Sequence, residues 1–568
     1  MKILIRITLC LLLAWFVLVP MQAGAADLPE IDPILKSADK LKAVQNDLRN
    51  VRVILTYDDR PTSEDVAALR DRGLKTHTFD HLPMIAVQGP YTAIQELFDQ
   101  DHLRSIFADK KLDYLLKDSV PYIEADRVWS ELGYTGKNVG VAIIDSGVDA
   151  LHQDLSYGEK TVQNVKILSN NFFTDEMIVQ ENLPNTDTTS GHGTHVAGII
   201  GGTGAASNGT YKGVAPDSNL IGIGAGDALF ILYALEGFDY AIENQERYGI
   251  DVISNSWGTT GEYTPNDPVN VASKVAHDKG MTVVFAAGNE GPEENTLNPY
   301  SVAPWVIGVA AGTKDGKLAD FSSRGIPGDK LYHPTLTAPG VDIVSTRAST
   351  GSTINALTAA TDATYIPPQY IPFYTTASGT SMATPHISGV VALMKEANPE
   401  LTPDVIKDVL IRTARPMEGY QEYEVGAGYV DAYDAAALAK KVKVKAPKGG
   451  GTEKEVPTYS VTETWSGEIG PSADGTPVED KDEKILTIDK KAVSATVRID
   501  WTNPATDLDL YVYGPDGSLV GKSAQGVTDF EETTILDPAA GEYKVVIEGY
   551  LSTVEPYEGT ATIDYALR

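Results

Sequence analysis

The stretch Val139–Gly147 reads VGVAIIDSG, an apolar run that ends in an acid, a serine and a glycine. A short apolar run that stops at a turn signal is typical of a strand buried on both faces of a sheet. Comparable runs at 251–254 and 282–287 alternate with helical stretches between about Val120 and Lys440. This alternation predicts an α/β fold with a parallel sheet between two layers of helices, and functional side chains at the carboxyl ends of its strands.

The chain around this sheet divides into further segments. Val51–Thr56 and Met84–Val87 have strand patterns and Ser63–Arg70 has a helical one, which predicts a small α+β module before the sheet. The last segment has strand-length alternation, Gly and Pro turns and no helical pattern, and a stretch with Gly449-Gly450-Gly451 among mixed charges precedes it. We expect a leader, the α+β module, the α/β domain, a linker and an all-β domain at residues 1–26, 27–116, 117–440, 441–457 and 458–568.

The first segment has the features of a secretory leader. Lys2 and Arg6 precede the apolar run Ile7–Val19, and small residues follow at 23–26. The run is shorter than the roughly 20 residues that a transmembrane helix needs. We therefore expect cleavage near residue 25 or 26 and an extracellular location; a retained N-terminal anchor is the alternative. Cys10, the only cysteine, would leave with the leader, so the exported chain would contain no disulfide.

The chain is strongly acidic. It has 46 Lys and Arg against 78 Asp and Glu, a formal net charge of -32. This charge repels nucleic acid and anionic membrane surfaces, so we expect neither as a partner, and we expect a monomer. Calcium binding is one use of the carboxylates, although most of them fit an ordinary solvated surface.

Three polar side chains occur where a fold of this class can present them together. Asp145 ends the predicted strand, where an acid can orient a histidine. His192 lies in Gly191–Gly198, a stretch of small residues at a predicted helix start that permits close approach of a substrate. Ser381 lies in Ser378–His386, ahead of an apolar helical run whose first turn tolerates proline and whose N-terminal N–H groups face the hydroxyl.

These residue types matter because of the chemistry of an attacking serine. A serine hydroxyl is a poor nucleophile at neutral pH, and it needs a base within hydrogen-bond reach and an acid that fixes the tautomer of that base. The tetrahedral intermediate also needs donors, and Asn289 follows the apolar run 282–287 with an amide side chain. The rival interpretation is a metal pair of His192 and His195, but no HExxH pattern accompanies it, so zinc is not expected.

The motifs resemble those of the subtilisin-like serine proteases, which use the chain order Asp, His, Ser. The matching stretches are Ile144–Asp149, His192–Gly198, Ala287–Asn289 and Gly379–His386. The resemblance implies a secreted serine endopeptidase with a three-layer α/β catalytic domain, made as an inactive zymogen. It also implies four roles: orienting acid for Asp145, general base and then acid for His192, nucleophile for Ser381 and oxyanion donor for Asn289.

The resemblance further implies how a protein or peptide substrate binds. Ser256, Trp257 and Gly258 match an edge segment that pairs with an extended substrate backbone, and such pairing favours broad specificity. Trp257 stands where an aliphatic residue is commoner, and it either narrows the primary pocket or packs in the core. Glu293 and Glu294 lie near that pocket in sequence, which leaves a preference for basic side chains open.

Residues 27–116 resemble the inhibitory propeptide of the family in length and element order. Such a segment is a partner carried within the chain, and its C-terminal tail would lie in the active site as the first product. Ser119–Tyr122 resembles a mature N-terminus, which indicates a cut near Leu116-Lys117.

Calcium is the cofactor that the resemblance implies. Asp118, Asp154 and Asn208 match the places that supply oxygen ligands to the strong site of the family. The spacing of the loop 207–210 departs from the family pattern. Calcium takes six to eight oxygens, so backbone carbonyl groups would have to supplement these side chains.

Residues 458–568 resemble the jelly-roll-like prepeptidase C-terminal domains of secreted proteases. Asp507 and Asp509 share one face of a predicted strand there, and they either bind calcium or face solvent. Stabilisation, substrate capture and surface attachment are the roles that stay open for this segment.

Two other functions stay open on the sequence. In one, the acidic β domain binds a partner and the protease fold is a scaffold without catalysis, which the intact set of motifs disfavours. In the other, the enzyme matures one or a few partners instead of digesting proteins broadly. The insertion at about 347–374, rich in Thr, Ala, Pro and Tyr, has no interpretation from the sequence.

Overall fold

The computed structural model describes residues 28–38, 41, 48–100, 102–109, 111–114, 119–168, 177–226, 229–444, 458–470, 481–503, 506–525, 528–551 and 554–567. The predicted leader and most of the predicted linker, residues 445–457, lie outside these ranges. Among the helices in these ranges, none combines the length and the apolar character needed to cross a bilayer.

In its described residues, the N-terminal module has a five-stranded sheet and the two helices named below. Its strands β1–β5 are Glu30–Ile31, Val51–Thr56, Lys75–Thr78, Met84–Gly89 and Ser105–Ala108, in the sheet order β1-β5-β2-β4-β3, and its helices α1 and α2 are Ser63–Asp71 and Tyr91–Gln95. Side chains alternate between the two faces of β2: Val53 and Leu55 pack in the core of the module, whereas Ile54 packs against the α/β domain. One face of this sheet therefore packs against the α/β domain.

The α/β domain is built on an eight-stranded sheet. Strands β6–β18 are, in chain order, Lys111–Tyr114, Gly140–Asp145, Thr161–Leu168, Ile178–Gln180, Asn219–Gly224, Leu229–Phe230, Ile250–Asn255, Trp257–Gly258, Thr282–Ala286, Ile307–Gly312, Leu336–Pro339, Ile343–Thr346 and Tyr374–Ala377. The large sheet has the order β16-β15-β14-β12-β7-β10-β8-β9, and every neighbouring pair is parallel except β8 and β9. The predicted α/β class is confirmed.

Helices cover both faces of this sheet. Helices α3–α12 are Ala125–Arg127, His192–Gly201, Ile231–Glu243, Gln245–Tyr248, Pro268–Asp278, Ser352–Tyr365, Thr380–Ala397, Pro403–Thr413, Glu422–Val425 and Ala432–Lys441. Along β7, Val141 and Ile143 pack with α4 and α9, and Ala142 and Ile144 pack with α5. Because successive side chains of a strand point to opposite faces, a strand covered on both sides is apolar at nearly every position, and β7 is buried throughout.

The insertion at 347–374 forms α8 and the chain that leads into β18. β18 pairs antiparallel with β17. Asp362 of α8 is buried and accepts a hydrogen bond from the Thr376 N–H at 2.6 Å. At the other end of α8, the Ile354 N–H donates to the Ser190 carbonyl at 3.1 Å, so the insertion lies against the loop that precedes α4.

The C-terminal segment is all-β, as predicted. Strands β19–β27 are Val442–Val444, Thr458–Ile469, Lys481–Ile488, Ala492–Trp501, Asp507–Tyr513, Leu519–Ser523, Phe530–Leu536, Gly541–Leu551 and Glu555–Ala566. They form two antiparallel sheets, β19-β20-β27-β22-β25 and β21-β26-β23-β24. β19 falls within the predicted linker, yet Val442 is buried and pairs with Val461 of β20, so the first residues of that stretch belong to the β domain.

The β domain packs on α10 of the α/β domain. The Arg412 guanidinium lies 3.6 Å from the ring centre of Tyr565, an attractive arrangement of a cation over an aromatic face. The Tyr459 hydroxyl donates to the buried carboxylate of Asp408. Apolar side chains of both domains share one core, so the β domain is held by buried contacts.

Candidate active site

Asp145 is the last residue of β7 and is fully buried. Its Oδ1 accepts hydrogen bonds from the Ser146 N–H at 2.7 Å and from His192 Nδ1 at 2.6 Å. The chain turns at Gly147, where φ is +133° and an added Cβ would lie 2.4 Å from the Thr186 carbonyl. The predicted acid therefore stands at the end of a strand, in contact with the predicted base.

His192 is the first residue of α4. Gly191 precedes it in a left-handed conformation, with φ of +86°, that favours glycine. A Cβ at Gly193 would lie 2.2 Å from the Gly147 carbonyl oxygen, so only glycine lets the helix come this close to the end of β7. An imidazole that donates from Nδ1 to Asp145 keeps Nε2 as the acceptor that a general base needs.

Ser381 is the second residue of α9 and is buried. Its Oγ donates to the Ser256 carbonyl at 2.7 Å. α9 packs against α4, so neighbouring helices carry the predicted nucleophile and base. Pro385 is the sixth residue of α9 and lies in the second turn, so the prediction of a proline in the first turn is wrong. A proline there lacks the N–H that would otherwise bond to the Ser381 carbonyl.

Asn289 follows β14 and is tied to the start of α9. Its Oδ1 accepts hydrogen bonds from the Thr380 N–H at 3.0 Å and from the Thr380 hydroxyl at 2.9 Å. With its oxygen engaged, the amide presents its NH₂ group as a donor. Asn289 and Ser381 line the same cavity, so this donor is available to an oxyanion that forms there.

A cavity of about 90 Å³ lies beside Ser381, and its lining includes Glu290, Thr296 and Asn298. Glu290 is the acidic residue in this lining; it directly follows Asn289 but was not predicted from the sequence. Glu293 and Glu294, which were considered instead, are exposed and do not belong to the described lining of this cavity.

The Trp257 side chain points into the protein core. It is 1% exposed, its Nε1 donates to the Ile144 carbonyl at 2.7 Å, and its ring meets Phe285 edge-on at 5.2 Å. The indole ring therefore packs in the core, and Trp257 also belongs to the lining of the cavity beside Ser381. At the next residue, Gly258, an added Cβ would lie 2.4 Å from Asn298 Cγ, so glycine is needed where the strand passes that side chain.

An extended segment that follows the N-terminal module in the chain lies against β13. β6 is the middle strand of a three-stranded sheet with the order β11-β6-β13. It runs antiparallel to β13, with Tyr114 opposite Trp257 and Asp113 opposite Gly258. Residues 115–118 lie outside the described ranges, and the chain is described again from Ser119, whose N–H donates to the imidazole of His386 at 3.2 Å.

Two further histidines near the site are buried. Burial lowers the pKa of His195 to about 3 and that of His386 to about 4, so both are neutral at ordinary pH. His195 Nε2 donates to the Thr375 carbonyl at 3.1 Å, and His386 Nδ1 donates to the Met382 carbonyl at 2.7 Å. His192 and His195 thus bond to different partners.

Asp154, a predicted calcium ligand, is buried with both carboxylate oxygens engaged by protein donors. Oδ1 accepts from the Ala206 N–H at 2.8 Å, and Oδ2 accepts from the Tyr374 hydroxyl at 2.7 Å. Tyr374 is the last residue of the insertion, and its hydroxyl also lies 2.9 Å from Ser207 Oγ. Because neutral donors take the places that a cation would need, the described residues do not fit a calcium ion at Asp154.

The other predicted calcium ligands are Asp118, Asn208, Asp507 and Asp509. Asp118 is outside the described residues, and Asn208 lies in an exposed loop with φ of +52°. Asp507 and Asp509 share one face of β23, and burial together with the charges of Asp509 and Glu531 raises the pKa of Asp507. Wherever the structure describes the chain, no three His, Cys, Asp or Glu side chains come together as a metal site requires. Calcium binding stays a prediction.

We expect EDTA to change the melting temperature of Asp154→Asn no less than that of wild type, because hydrogen-bond donors and not a cation satisfy Asp154. By contrast, Tyr374→Phe is expected to lower the free energy of unfolding by about 1–3 kcal/mol, since it leaves a buried carboxylate oxygen without its donor. Thermal melting with and without EDTA measures the effect of chelation and the effect of Tyr374→Phe. Tyr370→Phe in the same segment is the matched control. A fall on chelation that disappears in Asp154→Asn would contradict this interpretation.

Comparison with known proteins places this geometry in a family. The sequence model of the Subtilase family matches residues 136–443. The serine protease AprX of Bacillus subtilis is 33% identical over 359 residues, which are 60% of this chain and 76% of that protein. Subtilisin DY of Bacillus licheniformis is 32% identical over 326 residues, which are 56% of this chain and 97% of that protein.

A third relative, the minor extracellular protease Epr of Bacillus subtilis, is 27% identical over 379 residues, which are 62% of this chain and 48% of that protein. The family match spans more than half of the chain and includes all of β7, α4, β14 and α9. The chain therefore belongs to the subtilase family and is a serine endopeptidase, a hydrolase that acts on proteins or peptides.

Proposed function

We propose that the chain is the secreted precursor of a broad-specificity endopeptidase, in which Asp145, His192 and Ser381 form the catalytic triad. The observation that carries this proposal is the 2.6 Å hydrogen bond between Asp145 Oδ1 and His192 Nδ1, on a helix that packs beside the helix of Ser381. An imidazole held in this way by a buried carboxylate is oriented to take a proton at Nε2.

In the first half of the reaction, Ser381 Oγ attacks the carbonyl carbon of the scissile bond while His192 Nε2 takes its proton. The carbonyl oxygen becomes an oxyanion and accepts a hydrogen bond from Asn289 Nδ2. When the intermediate collapses, His192 gives the proton to the leaving amine, and an acyl-enzyme on Ser381 remains. Asp145 stays ionised and stabilises the imidazolium that forms between these steps.

In the second half, a water molecule replaces the amine. His192 takes a proton from the water as it attacks the acyl carbon, and the same oxyanion donor is used again. Collapse of the second intermediate returns the proton to Ser381 Oγ and releases the new carboxyl terminus. The same residues serve both halves, so no other group has to move.

Broad specificity follows from the way an extended peptide can bind. We infer that a substrate pairs with β13 as β6 does, through backbone groups that every residue type presents in the same way. The small cavity beside Ser381 then accepts one side chain. Glu290 gives this cavity a negative group, so basic side chains are expected among those accepted.

The position of the N-terminal module supports self-processing. Asp109 is buried where the module meets α5, and it accepts a hydrogen bond from the Leu232 N–H at 3.1 Å. A carboxylate is favoured at the N-terminus of a helix, so this contact holds the module in place. β6 follows directly and occupies the edge of β13 that a substrate would use.

The pairing also indicates where the precursor is cut. Tyr114 is opposite Trp257 in the antiparallel pairing of β6 with β13. Extending this register by one residue leads to Ser256, whose carbonyl accepts a hydrogen bond from Ser381 Oγ. We therefore propose a cut within residues 115–117, a range that includes the bond indicated by the resemblance. Secretion is supported by the leader-like residues 1–26 and by the name of the extracellular relative.

We expect the purified wild-type precursor to cut itself on incubation and the Ser381→Ala precursor to remain whole, because the cut uses the nucleophile of the same molecule. Gel electrophoresis and intact mass measure the cut, and N-terminal sequencing measures its position. Ser388→Ala is the matched control, since Ser388 is another buried serine of α9. Normal processing of purified Ser381→Ala without added protease would contradict self-processing.

Casein separates broad digestion from maturation of one or a few partners. We expect the processed wild-type enzyme to cut casein into many fragments, because backbone pairing does not select a particular sequence. An enzyme that matures itself but leaves casein intact would favour the narrower function.

A further inference from the structure

Asp187 lies five residues before His192, and neither the sequence motifs nor the proposed reaction uses it. Its side chain is fully buried. Its carboxylate accepts four hydrogen bonds, and all of them come from the two segments that carry Asp145 and His192. We propose that Asp187 is a positioning residue that holds the acid and the base of the triad in register with each other. This inference rests on the proposed function.

Three of the four bonds fix the first turn of α4. Asp187 Oδ1 accepts from the Gly191 N–H at 2.8 Å. Oδ2 accepts from the Thr194 N–H at 3.1 Å and from the Thr194 hydroxyl at 2.6 Å. Gly191 is the N-cap residue and has no side chain that could cap the helix, so the carboxylate of Asp187 serves instead. His192 is thereby held at a helix start whose free N–H groups are satisfied.

The fourth bond reaches the end of β7 through Ser146. The Ser146 hydroxyl donates to Asp187 Oδ1 at 3.1 Å and accepts from the Gly193 N–H at 2.9 Å. The Ser146 N–H in turn donates to Asp145 Oδ1 at 2.7 Å. One continuous set of bonds therefore connects Asp187 with the triad acid on one side and with the helix of the base on the other. Errors of about 1 Å in such positions can cost about a hundredfold in rate.

The arrangement needs an ionised Asp187, because a neutral carboxyl turns one of its acceptor oxygens into a donor. Burial, reinforced by the charge of Asp145, raises the pKa of Asp187 to about 6 despite the bonds that it accepts. The hydrogen bonds are thus complete above this pH and are disturbed as the pH falls through it.

Other charged groups lie around the same loop. Lys166 Nζ on β8 donates to the Thr186 carbonyl at 2.8 Å and to Thr188 Oγ1 at 2.8 Å. The Asp149 N–H donates to Thr194 Oγ1 at 2.9 Å, while the carboxylate of Asp149 bonds to Ser349. Together with Asp145 and His192, these groups define the electrostatic surroundings of Asp187.

The test compares Asp187→Asn with wild type on a chromogenic peptide, with active enzyme counted by titration with a serine-directed fluorophosphonate. We expect kcat to fall about 10- to 100-fold while KM stays within about twofold, because the reacting groups and not the substrate contacts are displaced. Below pH 6 the plot of log(kcat/KM) should have a steeper slope in wild type than in Asp187→Asn, because protonation of Asp187 lowers the wild-type rate toward that of the variant. The matched control is Asp408→Asn, another buried carboxylate, which bonds to Tyr459 far from the site and should leave both readouts unchanged.

A lower melting temperature with wild-type kcat and an unchanged slope would overturn the proposal, because that result describes a merely structural residue. If Asp187→Asn does not fold, Ser146→Ala is the second variant, because it removes the hydroxyl that connects Asp187 with β7. We then expect about a tenfold loss of kcat at unchanged KM. A wild-type kcat in Ser146→Ala would overturn the proposal. Failure of the proposed function would give a different result, because peptide hydrolysis would then survive in Ser381→Ala.

Discussion

Alanine in place of Ser381 is expected to abolish peptide hydrolysis. Ser381 Oγ is the attacking atom of the proposed reaction, and alanine has no group that can form an acyl-enzyme. Loss of the nucleophile lowers kcat of subtilisin by about a million-fold, and this magnitude is taken over from that enzyme. The measurement uses a chromogenic peptide, after tagged wild-type enzyme has cut the Ser381→Ala precursor in trans and has been removed on its tag.

The matched control for this experiment is Ser388→Ala. Ser388 is buried on the same helix, and its hydroxyl donates to Ser254 Oγ at 2.9 Å, so the substitution removes a comparable group outside the proposed triad. Its kcat should remain close to that of wild type. A Ser381→Ala enzyme that keeps more than about 1% of the wild-type kcat would exclude Ser381 as the nucleophile.

The second large effect is expected for Asp145→Asn, with kcat about ten-thousandfold lower near neutral pH. In the wild-type chain, Asp145 Oδ1 accepts hydrogen bonds from His192 Nδ1 at 2.6 Å and from the Ser146 N–H at 2.7 Å. An amide directs a donor toward the imidazole, which then takes the tautomer with its proton on Nε2. In that tautomer His192 cannot accept the proton of the nucleophile.

The rate of Asp145→Asn is measured against pH, with circular dichroism as a check of folding. Asp149→Asn is the matched control, since Asp149 is buried four residues further on and its carboxylate accepts from the Ser349 N–H at 2.7 Å. This control is expected to change stability more than kcat. Wild-type kcat in Asp145→Asn would show that the carboxylate does not orient the base.

Much of the fold could be predicted from short stretches of sequence. The apolar run before Asp145 predicted a strand buried on both faces, and β7 is such a strand at the centre of the sheet. The glycines around His192 predicted close approach of a substrate, whereas the structure shows that Gly193 passes the end of β7 with no room for a Cβ. Family membership also disfavours the interpretation of the chain as a scaffold without catalysis.

Other features depended on contacts that no local pattern encodes. Glu290, and not Glu293 or Glu294, belongs to the described lining of the cavity beside Ser381. Asp154 matched a calcium ligand by position, yet the Tyr374 hydroxyl arrives from 220 residues away to satisfy its carboxylate. The insertion that carries Tyr374 had no interpretation until its packing was known.

The sequence by itself determined the α/β class and the residue types of the candidate site, because backbone periodicity and residue identity are local properties. Only the tertiary structure decided which side chains bond to one another: the Asp145–His192 contact, the position of β6 on β13 and the connections of Asp187. The physical reason is that a hydrogen bond depends on distances of a few tenths of an ångström between groups far apart in the chain, and those distances are set by the packing of the whole domain.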